Sequence, residues 1–175
     1  MSRLERTVRT GTRTGLRADS LLAAALIAEI LSPGEDLWVI SGWISDVEVI
    51  DNSRGTFDSV LGELPSTRCR LSQALALIAA AGARVNLVTR PGAHNEAFVA
   101  RMRSLVRDEW KLHVKLDPDI HEKTICGRDW MLTGSMNFTV NGLGSSKEQV
   151  TYTVDGRGVA QAHLDFAQQW RRPAW

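Results

Sequence analysis

The sequence predicts an α/β fold, a mixed β-sheet flanked by helices on both faces, and three observations predict it. Short apolar runs rich in Val, Ile and Trp alternate along the chain with longer Ala- and Leu-rich stretches, as strands and helices do around one core. No internal repeat is visible at any period, so the chain reads as one unit and not as a solenoid or a duplicated domain. At 175 residues, 43% of them hydrophobic, it has material for one sizeable core.

Residues 1–17 read as a basic flexible arm. Arg3, Arg6, Arg9, Arg13 and Arg17 mix with Thr and Gly without period, as in a mobile arm or an edge element. Residues 18–175 read as the single folded domain. Ala18 to Leu31 is a helix by its Ala and Leu content, with Asp19 or Ser20 able to cap its start and Ser32-Pro33-Gly34 ending it. "DLWVISGWIS" then reads as a buried strand. From Asp46 to Arg70 periodicity is lost, and Gly, Pro, Asn and Ser indicate a loop with a short helical turn.

"LSQALALIAAAG" restores a helix that stops at Gly82, a natural C-terminal cap, and "ARVNLVTRP" is a strand stopped by Pro91. "NEAFVARMRSLVRDEW" is amphipathic at helical spacing through Phe98, Met102, Leu105 and Val106. "KLHVKLDP" alternates as a strand. "HEKTICGRDWMLTGS" reads as a hairpin divided at Gly127-Arg128-Asp129, "EQVTYTVD" as a further strand and "GVAQAHLDFAQQW" as the last helix.

Composition narrows the function classes. A formal net charge of +1 gives no overall pull toward nucleic acid or membrane. The arginines are clustered, however, and Arg84, Arg90, Arg101, Arg103 and Arg107, with the basic arm, can track a nucleic-acid backbone or form a solvated helix face. Cys69 and Cys126 are too few for a disulfide scaffold and stand in no metal-binding spacing, as expected of a reduced, cytoplasmic protein. "SLLAAALIAEIL" resembles the apolar part of a secretory signal, but Glu29 interrupts it and no small-x-small cleavage site follows. It is also too short to span a bilayer, so no membrane association is expected.

The chemistry concentrates in "IHEKTICGRDWMLTGSMNFT". Residues two apart on a strand share a face, so His121 and Lys123 are expected to project together. Gly134-Ser135-Met136-Asn137 arrives at the end of the partner strand, where Gly permits close backbone approach and Ser and Asn offer hydrogen-bond donors. A lysine, a hydroxyl, an amide and a turn backbone converging on one point make a cradle for phosphate oxygens. The histidine adds a nucleophile or proton carrier that titrates near neutral pH.

The ordered set of HxK, an apolar strand, a turn, a second apolar strand, GSxN and Glu148-Gln149 resembles the phospholipase D superfamily, whose signature is HxKxxxxD followed by GSxN. The resemblance covers roughly Ser20 to Asp155. It implies the phospholipase D/nuclease-like sandwich, with a phosphohistidine formed on His121, and Lys123, Gly134, Ser135 and Asn137 holding the phosphate. It also implies an acid, Glu148, or Gln149 if the register is off by one, orienting a histidine. One signature per chain is similar to the small bacterial nuclease branch, in which two chains complete a site, so a homodimer acting on nucleic acid, DNA before RNA, is implied.

No metal or other cofactor is implied. PLD-like proteins of bacterial phage-defence clusters are also similar, which implies partner proteins of a defence system. The signature departs at one place: Arg128 stands where the family has Asp, and Asp129 follows. Either Asp129 takes that role in a hairpin shortened at its turn, or the role is absent. The alternatives to a nuclease are a nucleic-acid-binding subunit that cuts poorly and, further off, a phospholipase.

Four other positions carry weaker signals. His94 can overhang the site or cap a helix; His113 reads as sheet surface and His163 as helix surface. Trp43, after Gly42, stands at a strand end where α/β folds place binding crevices, or it packs in the core.

Overall fold

The run Asp36–Ser41 is apolar at successive positions because both of its faces are covered. In the computed structural model, which describes residues 4–9, 18–62, 67–135 and 149–170, it is the second strand of the chain. The elements are β1 (Leu4–Arg9), α1 (Ala18–Leu31), β2 (Asp36–Ser41), β3 (Glu48–Asp51), α2 (Asp58–Leu61), β4 (Arg68–Arg70) and α3 (Leu71–Ala81). There follow β5 (Arg84–Thr89), α4 (Ala93–Leu105), β6 (Leu112–Leu116), β7 (Lys123–Cys126), β8 (Met131–Gly134), β9 (Gln149–Val154) and α5 (Gly156–Trp170). Seven strands form one mixed sheet in the order β1-β9-β8-β7-β2-β5-β6, and β3 pairs with β4 separately. β2, β5 and β6 run parallel to one another, and every other pairing is antiparallel.

Side-chain alternation along β2 separates two cores. Leu37 and Val39 face Leu22, Leu26, Leu75, Ile78, Phe98 and Met102, from α1, α3 and α4. Trp38 and Ile40 face Val159, Phe166 and Trp170, from α5. Helices therefore cover both faces, as the sequence predicts. Trp38, fully buried, packs its ring 5.8 Å from Phe166 and 6.5 Å from Trp170. Such aromatic contacts add about 0.5–1.5 kcal/mol each beyond the area they bury.

Two elements differ from the sequence reading, and a third takes one of its two alternatives. Leu4–Arg9, in the segment read as a mobile arm or an edge element, is the edge strand β1, paired along its whole length with β9. Asp46 to Arg70 holds the expected helical turn, α2, but also the hairpin strands β3 and β4. At four and three residues these strands are too short for alternation to show. His121 precedes β7 instead of lying on it, so the expected shared strand face with Lys123 does not arise in that form.

Glu29 ties α1 to the β7–β8 turn. Its carboxylate, 1% exposed, accepts hydrogen bonds from Gly34 N at 2.8 Å, Trp130 Nε1 at 2.9 Å and Arg128 N at 3.1 Å. The turn itself closes through Gly127 N donating to the Trp130 carbonyl at 3.0 Å. A Cβ on Gly127 would stand 2.3 Å from Trp130 Nε1 and 2.5 Å from Glu29 Oε2, so only glycine fits there. On the opposite side His163 Nε2 bonds the Gly127 carbonyl at 2.9 Å, which makes this histidine a half-buried clamp and not the surface residue expected.

Candidate active site

Strand direction gathers the signature at one edge of the sheet. Ser41, the last residue of β2, pairs with Lys123, the first of β7. The β7–β8 register pairs Thr124 with Thr133, and continuing it outward puts Gly134 next to Lys123 and Ser135 next to Glu122. Gly134 pairs in turn with Val150, which brings the start of β9, and with it Gln149, to the same edge. The C-terminal ends of β2, β5 and β8 and the N-terminal ends of β7 and β9 thus share the border where open α/β sheets place their ligands.

His121 is exposed at this border, and Arg90, which follows β5, organises it. The Arg90 Nε donates to the Ile120 carbonyl at 3.0 Å, and its Nη2 lies 3.1 Å from His121 Nδ1 and 3.2 Å from Nε2. A guanidinium can only donate, so the ring nitrogen it bonds is the one acting as acceptor. Lys123 Nζ donates to the His121 carbonyl at 2.8 Å. Two cations thereby hold His121 at the rim of the sheet, one at its ring and one at its backbone carbonyl. Glu122 turns aside to accept from Thr124 Oγ1 at 2.8 Å.

The loop after β2 is held against this group. A Cβ on Gly42 would meet the Ile120 carbonyl at 3.2 Å and Arg90 Nε at 3.5 Å, so the missing side chain lets the two segments touch. Asn95, 1% exposed, donates through Nδ2 to the carbonyls of Gly42 and Arg90, both at 2.9 Å, and accepts from Ile44 N at 3.0 Å. Trp43, between Gly42 and Ile44, is 41% exposed, with its ring edge-on to His94 at 5.8 Å and 84°. His94 Nε2 is 3.1 Å from Ser45 Oγ. Trp43 is therefore not the core residue that one of its two readings made it.

Of the residues expected to act, the structure brings His121, Lys123, Gly134, Ser135 and the backbone of Gln149 together. Asn137 and Glu148 lie outside the described residues. Asp129 is at the other end of β7: it sits in the 127–130 turn, 72% exposed, ion-paired with Arg128 at 3.4 Å. At about 3.3 Å per residue, the four residues of β7 hold it well away from His121. The sequence marks Arg90 only as one of several arginines able to track a nucleic-acid backbone, not as a partner of His121, and does not mark Asn95. The available signal was an Arg-Pro-Gly sequence immediately after an apolar strand in a parallel pair.

The two thiols take no part in this edge. Burial pushes the Cys126 thiol up to about 12, with Glu29 and Glu122 adding to the effect, and pushes Cys69 up to about 11, with Asp46 adding. Among the described residues no three His, Cys, Asp or Glu side chains gather as a metal site, and no helix is long and apolar enough to cross a membrane.

Similar folds recur in known structures. NucT from Helicobacter pylori superposes with a TM-score of 0.60 at 14% identity over 95% of this chain and 95% of its own. The phospholipase D family member Nuc from Salmonella typhimurium gives 0.57 at 15% identity over 96% and 93%. Polyphosphate kinase from Porphyromonas gingivalis gives 0.63 at 13% identity, over 98% of this chain but 27% of that larger protein. No curated protein sequence matches. The family model described as "Cardiolipin synthase, PLD-like domain" matches residues 44–170, from the loop that carries Trp43 to the end of α5. With that match over most of the chain, a shared fold and the HxK and Gly-Ser elements meeting at one sheet edge, the chain belongs to the phospholipase D superfamily.

Proposed function

We propose that the protein is a metal-independent phosphodiesterase, a nuclease acting on DNA, whose site is completed by two copies of the chain. The observation that carries this reading is the convergence of His121, Lys123, Ser135 and Arg90 on one exposed border of the sheet. His121 attacks phosphorus, the P–O bond to the leaving nucleotide breaks, and a phosphohistidine forms. His121 of the partner subunit gives its proton to the leaving oxygen, then takes one from water as that water displaces the histidine. A two-fold axis lets identical residues play these opposite parts. Lys123, Ser135 and Asn137 stabilise the non-bridging oxygens, and Glu148, or Gln149, orients a histidine. Arg90 adds a further positive charge beside the nucleophile.

The reading is supported by family membership and by the fold shared with NucT and with the phospholipase D family member Nuc. The clustered arginines favour nucleic acid over lipid, and a place in phage defence within a cytoplasmic complex accords with the single signature. A second reading, a nucleic-acid-binding subunit that cuts poorly, draws on the Arg90 guanidinium, which lies against the His121 ring and engages its acceptor nitrogen in the single chain.

Wild type and His121→Ala, compared in excess EDTA on single- and double-stranded DNA and on an aryl phosphodiester, separate the two. Solution mass is recorded alongside. Cleavage by a dimer that disappears in the variant is the expected result. Binding by both proteins without cleavage of any substrate would sink the catalytic reading in favour of the second.

A further inference from the structure

We propose that Trp43 is a stacking platform for an unpaired base beside the reacting phosphate, so that the site takes single-stranded nucleic acid. This rests on the phosphodiester reading above and specifies its substrate. Trp43 stands directly after the backbone that touches Arg90 and Ile120, one Cα step of about 3.8 Å beyond Gly42. The indole is 41% exposed although tryptophan is ordinarily among the more buried residues.

Exposure alone would be weak ground, since single apolar side chains at a surface are common. The frame around this one is what distinguishes it. The buried amide of Asn95 bonds the carbonyl before Trp43, the N–H after it and the Arg90 carbonyl, so one side chain fixes the Trp43 backbone relative to the arginine that touches His121. Ser41 Oγ donates to the carbonyl of Trp43 itself at 2.8 Å, and Ser41 is the register partner of Lys123. His94 supports the ring through a T-shaped contact, and the exposed part of the indole stays open to a ligand.

An aromatic held rigidly beside a cationic phosphate site combines the two elements that bind single strands: charge for the backbone and a π-face for the base. A paired base is stacked on its own neighbours and cannot offer its face. The chemistry therefore selects unpaired nucleotides and tolerates any base.

The test uses the full chain in EDTA with His121→Ala as the parent, so that no probe is cut, and measures the affinity of that parent and of the same chain with Trp43→Ala or Trp43→Phe added. The probes are a thymidine oligonucleotide, an abasic oligonucleotide of equal length and a duplex. The parent should bind the thymidine strand better than the abasic one. Trp43→Ala should weaken the thymidine strand by roughly 5- to 150-fold while its affinity for the abasic strand, which also reports a folded phosphate site, stays level. Trp43→Phe should recover much of the loss.

Equal loss on both strands, or no loss on the thymidine strand, overturns the proposal. Turnover of an aryl phosphodiester by wild type checks the chemistry separately, because that substrate carries no base. A base preference that depends on Trp43 without any turnover sustains the platform and removes the catalytic reading.

Discussion

Replacing Glu29 isolates what one buried carboxylate contributes. In Glu29→Ala the N–H groups of Gly34, Arg128 and Trp130 lose their acceptor at a site that is 1% exposed. A buried donor left unsatisfied costs about 1–3 kcal/mol, and water entering the vacated volume offsets part of this, so the loss comes to about 4 kcal/mol. In a domain of this size that lowers the melting temperature by about 8–16 °C. Glu29→Gln keeps one oxygen but presents an NH2 group to a donor, and should lose about half as much. Urea and thermal unfolding followed by circular dichroism measure both. A loss under about 1 kcal/mol for the alanine variant, or equal losses for the two, would refute the reasoning, because acceptor count would then not set the stability.

The two ends of β7 should respond in opposite ways. Arg90→Ala removes the guanidinium against His121 and should lower kcat/KM on an aryl phosphodiester by roughly 10- to 100-fold, whereas Asp129→Asn, exposed and paired only with its neighbour, should change activity and stability little; steady-state kinetics on both variants checks this. The buried thiols give a pH dependence. Their folded values of about 11 and about 12 lie above the ordinary 9.0, so this contribution is fully present below pH 9 and is lost as pH rises through 9 toward 12, which urea midpoints against pH would reveal. For the same reason iodoacetamide at pH 8 should label neither cysteine without denaturant, and rapid labelling of the native protein would contradict the burial of both.

Much of the architecture was legible because each layer imposes a period. Leu71–Ala81 and Ala93–Leu105 are amphipathic or Ala-rich over three turns, and residues 37–40 of β2 are all apolar because two cores claim alternate residues. The β3–β4 hairpin was not legible: with one or two inward residues per strand there is no period to read. Within the site, His121, Lys123, Gly134 and Ser135 are near in sequence, and one hairpin register brings them together. Arg90 and Asn95 act on them from roughly thirty residues away, through a parallel pairing of β2 and β5 that local pattern does not encode. Asp129 shows the converse, since nearness in sequence to His121 becomes distance once β7 is extended.

The pairing of β1 with β9 joins Leu4 to Val154. On a ribosome the first of these segments emerges long before its partner exists, and it waits as an orphan strand while the other six assemble. The waiting chain has a built-in safeguard in its composition: Glu5, Arg6 and Arg9 make half of the strand charged, which discourages pairing with another copy. Chain length adds little to the eventual closure, since each doubling of the loop costs only about 0.6 kcal/mol. The burden is one of timing: β1 cannot close this edge of the sheet until β9 exists to receive it.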